Sequence, residues 1–125
     1  MALARVLTRA TWGIEAPLVT VEVHLSGGLP GFTLVGLPET AVKESRERVR
    51  SAILNANLEF PQRRITINLA PAELPKSGGR FDLAMAIGIL AASGQLKRPA
   101  LDKLEFLGEL ALSGEVRPVY GLLPA

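Results

Sequence analysis

The sequence contains no cysteine, one histidine and few aromatic residues. Without cysteine the chain can form neither a disulfide framework nor a thiolate metal site, and this composition fits a cytoplasmic protein. A lone histidine, His24, does not make a metal site, so we predict none. Aromatic residues amount to 5% of the chain and form no ladder beside its basic stretch. We therefore expect no recognition of single strands by base stacking.

Long apolar runs and nucleotide-binding motifs are also missing. The longest apolar stretch, Leu83 to Ala92, has about half the length of a membrane span and predicts a buried helix instead. Arg5 and Arg9 interrupt the N-terminal apolar stretch, which therefore does not look like a signal peptide. Neither GxxxxGKS/T nor GxGxxG occurs in the 125 residues. We expect this chain to bind neither ATP nor another cofactor, and to make no membrane contact.

Basic residues cluster in one predicted helix. The formal net charge of +2 is too small to indicate a polyanionic partner, so local clustering matters more. Residues 43–50 contain four basic and two acidic side chains, and three of the basic ones share one helix face. Such a face can follow a phosphate backbone, and the next two arginines in the chain can extend it. The candidate DNA-binding residues are Lys43, Arg46, Arg50, Arg63 and Arg64.

The same helix has a second interpretation without DNA. Glu44 and Arg48 lie four residues apart, as do Lys43 and Glu47, and such pairs stabilise a solvated helix by a few tenths of a kcal/mol each. On this interpretation the basic residues form an ordinary surface.

The apolar patterns predict one α+β domain over residues 1–125. Residues 3–11, 19–25, 32–35 and 65–69 are predicted strands, 39–56 and 81–93 are predicted helices, and 104–112 with 115–119 form a hairpin closed by Ser113-Gly114. We expect 32–35 to pair back onto the preceding strand, and Asn57 to end the first helix. Its buried stripe is predicted at Val42, Ser45, Val49, Ala52, Ile53 and Ala56. Helices packing on one face of a mixed sheet make the domain α+β, or loosely α/β, with two layers.

The start of the second helix carries an unusual arginine. Arg80 follows Gly78 and Gly79, and a cation at a helix N-terminus opposes the macrodipole, whereas Asp82 suits it. One interpretation is a local Arg80–Asp82 pair at the surface. The other is an arginine directed at an anion or at a partner subunit, beside the glycine amides.

The Gly-rich loop, the apolar helix and the hairpin together resemble the last half of the Lon-type protease domain. In that family the loop carries a nucleophilic serine, and a lysine after the hairpin activates it. The matching positions here are Arg80 and Leu123, so the resemblance implies the scaffold without the dyad. Ser77 and its neighbour Lys76 are expected to be exposed loop residues. An exposed lysine stays protonated near its ordinary pKa of ~10.4, so it does not activate the adjacent serine. We predict no catalytic residue.

From end to end the chain resembles the N-terminal domain of the ComM/YifB family of Mg-chelatase-subunit-like AAA+ ATPases. The resemblance rests on GLPGFTLVGLPE, on NLAPAELPKSGGRFDL and on FLGELALSGEVRPVYGLLPA. It implies that this Lon-like domain precedes an AAA+ module, so we expect the chain to be a piece of a longer protein. That module would bind ATP and Mg²⁺. Family members are tied to branch migration of DNA in natural transformation, as hexameric ring helicases.

Two functions follow from the resemblance. The first is a non-catalytic accessory domain of a cytoplasmic AAA+ DNA motor, with other copies of the protein in a hexameric ring and DNA as partners. The second is a protein-interaction or substrate-docking domain of an AAA+ remodeller that makes no DNA contact.

Overall fold

The computed structural model describes residues 2–10, 17–70, 79–96 and 105–117. Four strands form one mixed sheet in the order β1-β2-β4-β3. They are β1 (Ala2–Arg9), β2 (Leu18–Ser26), β3 (Gly31–Val35) and β4 (Arg64–Ala70). Neighbouring strands β1 and β2 are antiparallel, as are β2 and β4, whereas β3 runs parallel to β4.

The pairing of β3 differs from the prediction. We expected β3 to pair back onto β2, but β4 lies between them. A parallel pair needs a long crossover, and the helix between β3 and β4 supplies one. The central position of β4 also suits its apolar alternation, because Ile65, Ile67 and Leu69 are all buried.

Two helices and a short hairpin complete the described part of the fold. The helices are α1 (Glu39–Asn55) and α2 (Asp82–Ala92), and the hairpin joins β5 (Glu109–Leu110) to β6 (Val116–Arg117). Helix α2 packs on β1 and β2 and against α1. This confirms the predicted α+β fold with a mixed sheet and two main helices. The two described strands of the hairpin are shorter than predicted, and parts of the predicted strands, 104 and 118–119, lie outside the described residues.

The two layers meet closely because of one glycine. On β2, Val19, Val21, Val23 and Leu25 are fully buried. Gly88 of α2 lies against this face, and a Cβ atom added there would stand 2.5 Å from Cγ2 of Val23. The missing side chain therefore lets the helix approach the sheet.

Helix α1 begins and ends near the predicted positions. Its last residue is Asn55, and Asn57, just beyond the cap at Ala56, has a φ of 63° that confirms the predicted left-handed stop. Four residues of the predicted stripe are buried, namely Ser45, Val49, Ala52 and Ile53. Val42 is half-buried and Ala56 is exposed, because Ala56 already caps the helix and leaves the packed face.

Candidate nucleic-acid interface

Three of the predicted DNA-binding arginines converge on one groove. Arg46 and Arg50 lie one turn apart on α1, and Arg63 lies in the segment that leads into β4. All three side chains are exposed. We call this depression of about 220 Å³ the basic groove. It is lined by Pro30, Gly31, Phe32, Arg46, Arg50, Phe60, Pro61, Gln62 and Arg63.

The β3–β4 pairing brings these distant segments together. The backbone N–H of Gly31 donates to the carbonyl oxygen of Arg63 at 3.4 Å, and in the parallel register Gly31 is the partner of Arg64. The start of β3 is thus held beside the segment that enters β4. Helix α1, as the crossover between the two strands, brings its basic face to the same place.

Two phenylalanines also line the basic groove, and sequence reasoning missed them. Phe32 and Phe60 are half-buried, and both pack against the hydrophobic core. Both lie outside α1, so no helical periodicity relates them to the basic residues at 43–50. The parallel register of β3 would have been the signal, but the sequence pointed to an antiparallel hairpin.

The other two predicted DNA-binding residues lie outside the groove. Lys43 is exposed on α1, and Arg64 is exposed at the first position of β4. Neither contributes to the lining. The predicted DNA-binding set is therefore split into three residues that line the groove and two that do not, and DNA contact by any of them stays a prediction.

Arg48, the fourth basic residue of the 43–50 stretch, turns inward. Its Nε donates to Oδ2 of Asp82 at 2.6 Å, and its Nη2 donates to Oγ of Ser45 at 3.2 Å. The predicted ion pair with Glu44 exists, but at a longer 3.9 Å. Arg48 is therefore mainly a structural residue that ties α1 to α2, and it is not part of a solvated face.

Asp82 lies at the centre of this buried cluster. Burial raises the pKa of its carboxyl group, while the hydrogen bond and the charge of Arg48 act in the opposite direction. The backbone N–H of Leu110 also donates to Oδ2 of Asp82, at 3.2 Å. One carboxylate thus joins α1, α2 and β5.

The predicted surface pair of Arg80 and Asp82 is wrong, because both residues are buried and Asp82 is bound by Arg48. Burial lowers the pKa of Arg80, and its carbonyl oxygen accepts a hydrogen bond from the backbone N–H of Gly108 at 3.2 Å. A contact of Arg80 with an anion or a partner subunit stays a prediction. Leu123, like Lys76, Ser77 and Gly78, lies outside the described residues.

A second, apolar groove of about 120 Å³ lies between α1 and α2. Its lining residues are Ala52, Ile53, Ala56, Leu58, Leu83, Ala86, Ile87, Leu90, Leu110 and Gly114. Within the four described ranges, no three histidine, aspartate or glutamate side chains gather as they would around a metal ion. No helix in those ranges has the length and apolarity needed to cross a membrane.

Comparison with known proteins places the chain in a family. The family described as "Subunit ChlI of Mg-chelatase" matches residues 21–125. The chain is 63% identical over 125 residues to the Competence protein ComM of Haemophilus influenzae, covering 100% of this chain and 25% of that protein. It is 61% identical over 123 residues to YifB of Escherichia coli, covering 98% of this chain and 24% of that protein. A Mycobacterium bovis protein is 45% identical over 125 residues, again covering 100% of this chain and 25% of its own length. The chain thus spans about a quarter of the length of these relatives, and it belongs to the ComM/YifB family of Mg-chelatase ChlI-like proteins.

Proposed function

We propose that this chain is a non-catalytic accessory domain of an AAA+ ATPase that processes DNA, and that it contacts the DNA backbone through the basic groove. Family membership supports the accessory role, and one relative is named a competence protein. In this proposal ATP and Mg²⁺ act at an AAA+ module in the longer protein. Branch migration by a hexameric ring of such subunits in the cytoplasm belongs to the same proposal.

The observation that carries the proposal is the convergence of Arg46, Arg50 and Arg63 on one concave surface. Arginine guanidinium groups bind phosphate in a planar, bidentate manner. The described lining of the groove contains no aspartate or glutamate that would repel a phosphate. Two of the arginines come from α1 and one from the entry to β4, so their spacing is fixed by the fold.

The expected strength of DNA binding follows from the number of phosphate contacts. Two to four contacts by one domain release a similar number of counterions, which gives a log–log salt slope of roughly −2 to −4 on duplex DNA. Affinity of the single chain should be weak, because a ring would multiply these contacts through effective concentration.

The apolar groove supports a second candidate function. Leu58 is exposed, and Leu83, Ile87 and Leu90 are half-buried along this groove. Apolar residues in a concave surface are typical of sites that take a partner helix or peptide. On this reading the chain is a protein-docking domain of an AAA+ remodeller and makes no DNA contact.

Fluorescence anisotropy on a labelled four-way junction and on duplex DNA distinguishes the two functions. The test variant is Arg46→Glu with Arg50→Glu, and the matched control is Lys43→Glu with Arg64→Glu. Both variants reverse two exposed cations, but only the first pair lines the basic groove. We expect the groove variant to lose binding and the control to retain most of it, with circular dichroism unchanged in both.

Two outcomes contradict the proposal. Equal losses in the two double variants would mean that net charge, and not the groove, attracts DNA. Absence of binding by the parent chain at low salt would leave protein docking as the better account.

A further inference from the structure

We propose that the basic groove is specific for an unpaired DNA strand, whose base stacks on Phe32 and Phe60 while its phosphates contact the arginines. This inference rests on the proposed function and adds a substrate class to it. It also reverses the expectation that this protein has no stacking surface beside its basic residues.

The lining of the groove combines the two groups that single-strand binding needs. Cationic side chains attract the backbone, and aromatic rings offer a face on which any base can stack. Arg46, Arg50 and Arg63 supply the first group, and Phe32 with Phe60 supplies the second. Gln62, also in the lining, has an amide that can donate to and accept from a base edge.

The size of the groove favours one planar group over an extended ligand. Its volume of about 220 Å³ lies below the ~300–1,000 Å³ typical of pockets for drug-sized ligands. In a duplex the bases are stacked and paired, so only the backbone can reach a concave surface. An unpaired base can be turned outward and inserted. The phenylalanine rings therefore give a single strand a contact that a duplex does not have.

The groove is built to hold these rings in place. Both phenylalanines pack against the core, so their positions are fixed before a ligand binds. Pro30 and Pro61 restrict the backbone next to Gly31 and Phe60. The ligand thus meets a formed site.

The test compares three labelled probes at one low salt concentration: an oligo(dT), an abasic deoxyribose-phosphate strand of equal length, and a duplex. The first two carry the same charge, so only base contacts distinguish them. If one base stacks in the groove, the parent chain should bind oligo(dT) roughly 5- to 100-fold more tightly than the abasic strand. This comparison requires no variant.

A pair of variants assigns the preference to the groove. Phe60→Leu keeps an apolar side chain but removes one of the two rings, and it should lower oligo(dT) affinity toward the abasic level while abasic and duplex binding stay unchanged. Phe60→Tyr keeps the ring and should keep the preference. The matched control is Phe106→Leu, because Phe106 is also half-buried against the core but lies outside the groove lining.

The outcomes separate this inference from the function on which it rests. Equal binding of oligo(dT) and the abasic strand, abolished for both by Arg46→Glu with Arg50→Glu, would overturn base stacking and leave backbone contact intact. A preference for oligo(dT) that Phe60→Leu leaves at its full size would move the stacking site elsewhere and overturn the inference as well. Failure of all three probes to bind would refute the proposed DNA contact itself.

Discussion

Replacing Arg48 with methionine removes the cation that neutralises the most deeply buried carboxylate in the described part of the fold. Asp82 is fully buried, and its Oδ2 lies 2.6 Å from Nε of Arg48. Methionine keeps most of the apolar stem of arginine, so the change mainly removes the charge. Breaking a buried ion pair from one side costs about 3–5 kcal/mol, which is a large share of the ~5–15 kcal/mol that stabilises a typical domain.

Removal of the other partner should cost less. The side chain of Arg48 is 21% exposed, so it can turn to solvent, and Ser45 and Glu44 remain near it. In Asp82→Asn the amide oxygen can still accept from the N–H of Leu110, and the loss should be about 1–3 kcal/mol. We therefore predict that Arg48→Met is the least stable of the three proteins and that Asp82→Asn lies between it and the parent.

The pH dependence of the Arg48→Met deficit has a definite sign. Burial already holds the pKa of Asp82 above its ordinary value of 3.8, and loss of Arg48 raises it further. Between the unfolded and folded pKa values the folded state binds more protons, so the free energy of unfolding falls as pH rises through that interval. In acid the protonated carboxyl no longer carries a buried charge, and the deficit shrinks.

Urea unfolding of the three proteins, followed by circular dichroism at pH 7 and pH 5, measures both effects. The reasoning is refuted if Asp82→Asn costs as much as Arg48→Met at pH 7. It is also refuted if the Arg48→Met deficit is the same at the two pH values.

Two further predictions concern packing and a surface pair. In Gly88→Ala the new Cβ would stand 2.5 Å from Cγ2 of Val23. The resulting overpacking costs ~1–3 kcal/mol, and the higher helix propensity of alanine offsets up to ~1 kcal/mol of that cost. Urea unfolding should therefore show a lower free energy of unfolding for this variant. Gly27→Ala, where a Cβ meets no atom within 4 Å, is the control, and equal stability of the two variants would contradict the close-approach argument. The hydrogen bond from Arg9 lowers the pKa of Glu105 below 4.5. The stabilisation of the folded state by this pair is therefore present above that pH and is lost as pH falls through the folded pKa of Glu105. The stability difference between the parent and Glu105→Gln should therefore shrink on acidification, and a difference that grows in acid would contradict this pairing.

Local patterns in the sequence were sufficient to place most elements of the fold. The valine alternation of β2 and the asparagine stop of α1 come from interactions within a few residues, and both predictions are confirmed. The predicted pairing of β3 with β2 was wrong, because the choice of a neighbouring strand depends on which pairing buries more apolar surface. Local periodicity does not contain that choice. The helix between β3 and β4 was visible in the sequence and already permitted the parallel crossover.

The site could be predicted only in part, for the same reason. Exposure of Arg46 and Arg50 followed from their place opposite the buried stripe of α1. The inward turn of Arg48 did not, because its partner Asp82 lies in another helix. Phe32 and Phe60 entered the groove through tertiary packing alone. Long-range partners of single side chains are therefore what the sequence did not reveal.

Chemical-shift mapping tests the central claim, DNA contact through the basic groove, most directly. ¹⁵N-labelled protein is titrated with a four-way junction and with oligo(dT) at low salt, and backbone amide shifts are followed in both. We predict that the perturbed amides cluster at residues 31–32, 46–50, 60 and 62–64, which surround the groove. Shifts concentrated instead at Leu58, Leu83 and Ile87, along the apolar groove, or no shifts in a folded protein, would contradict the account.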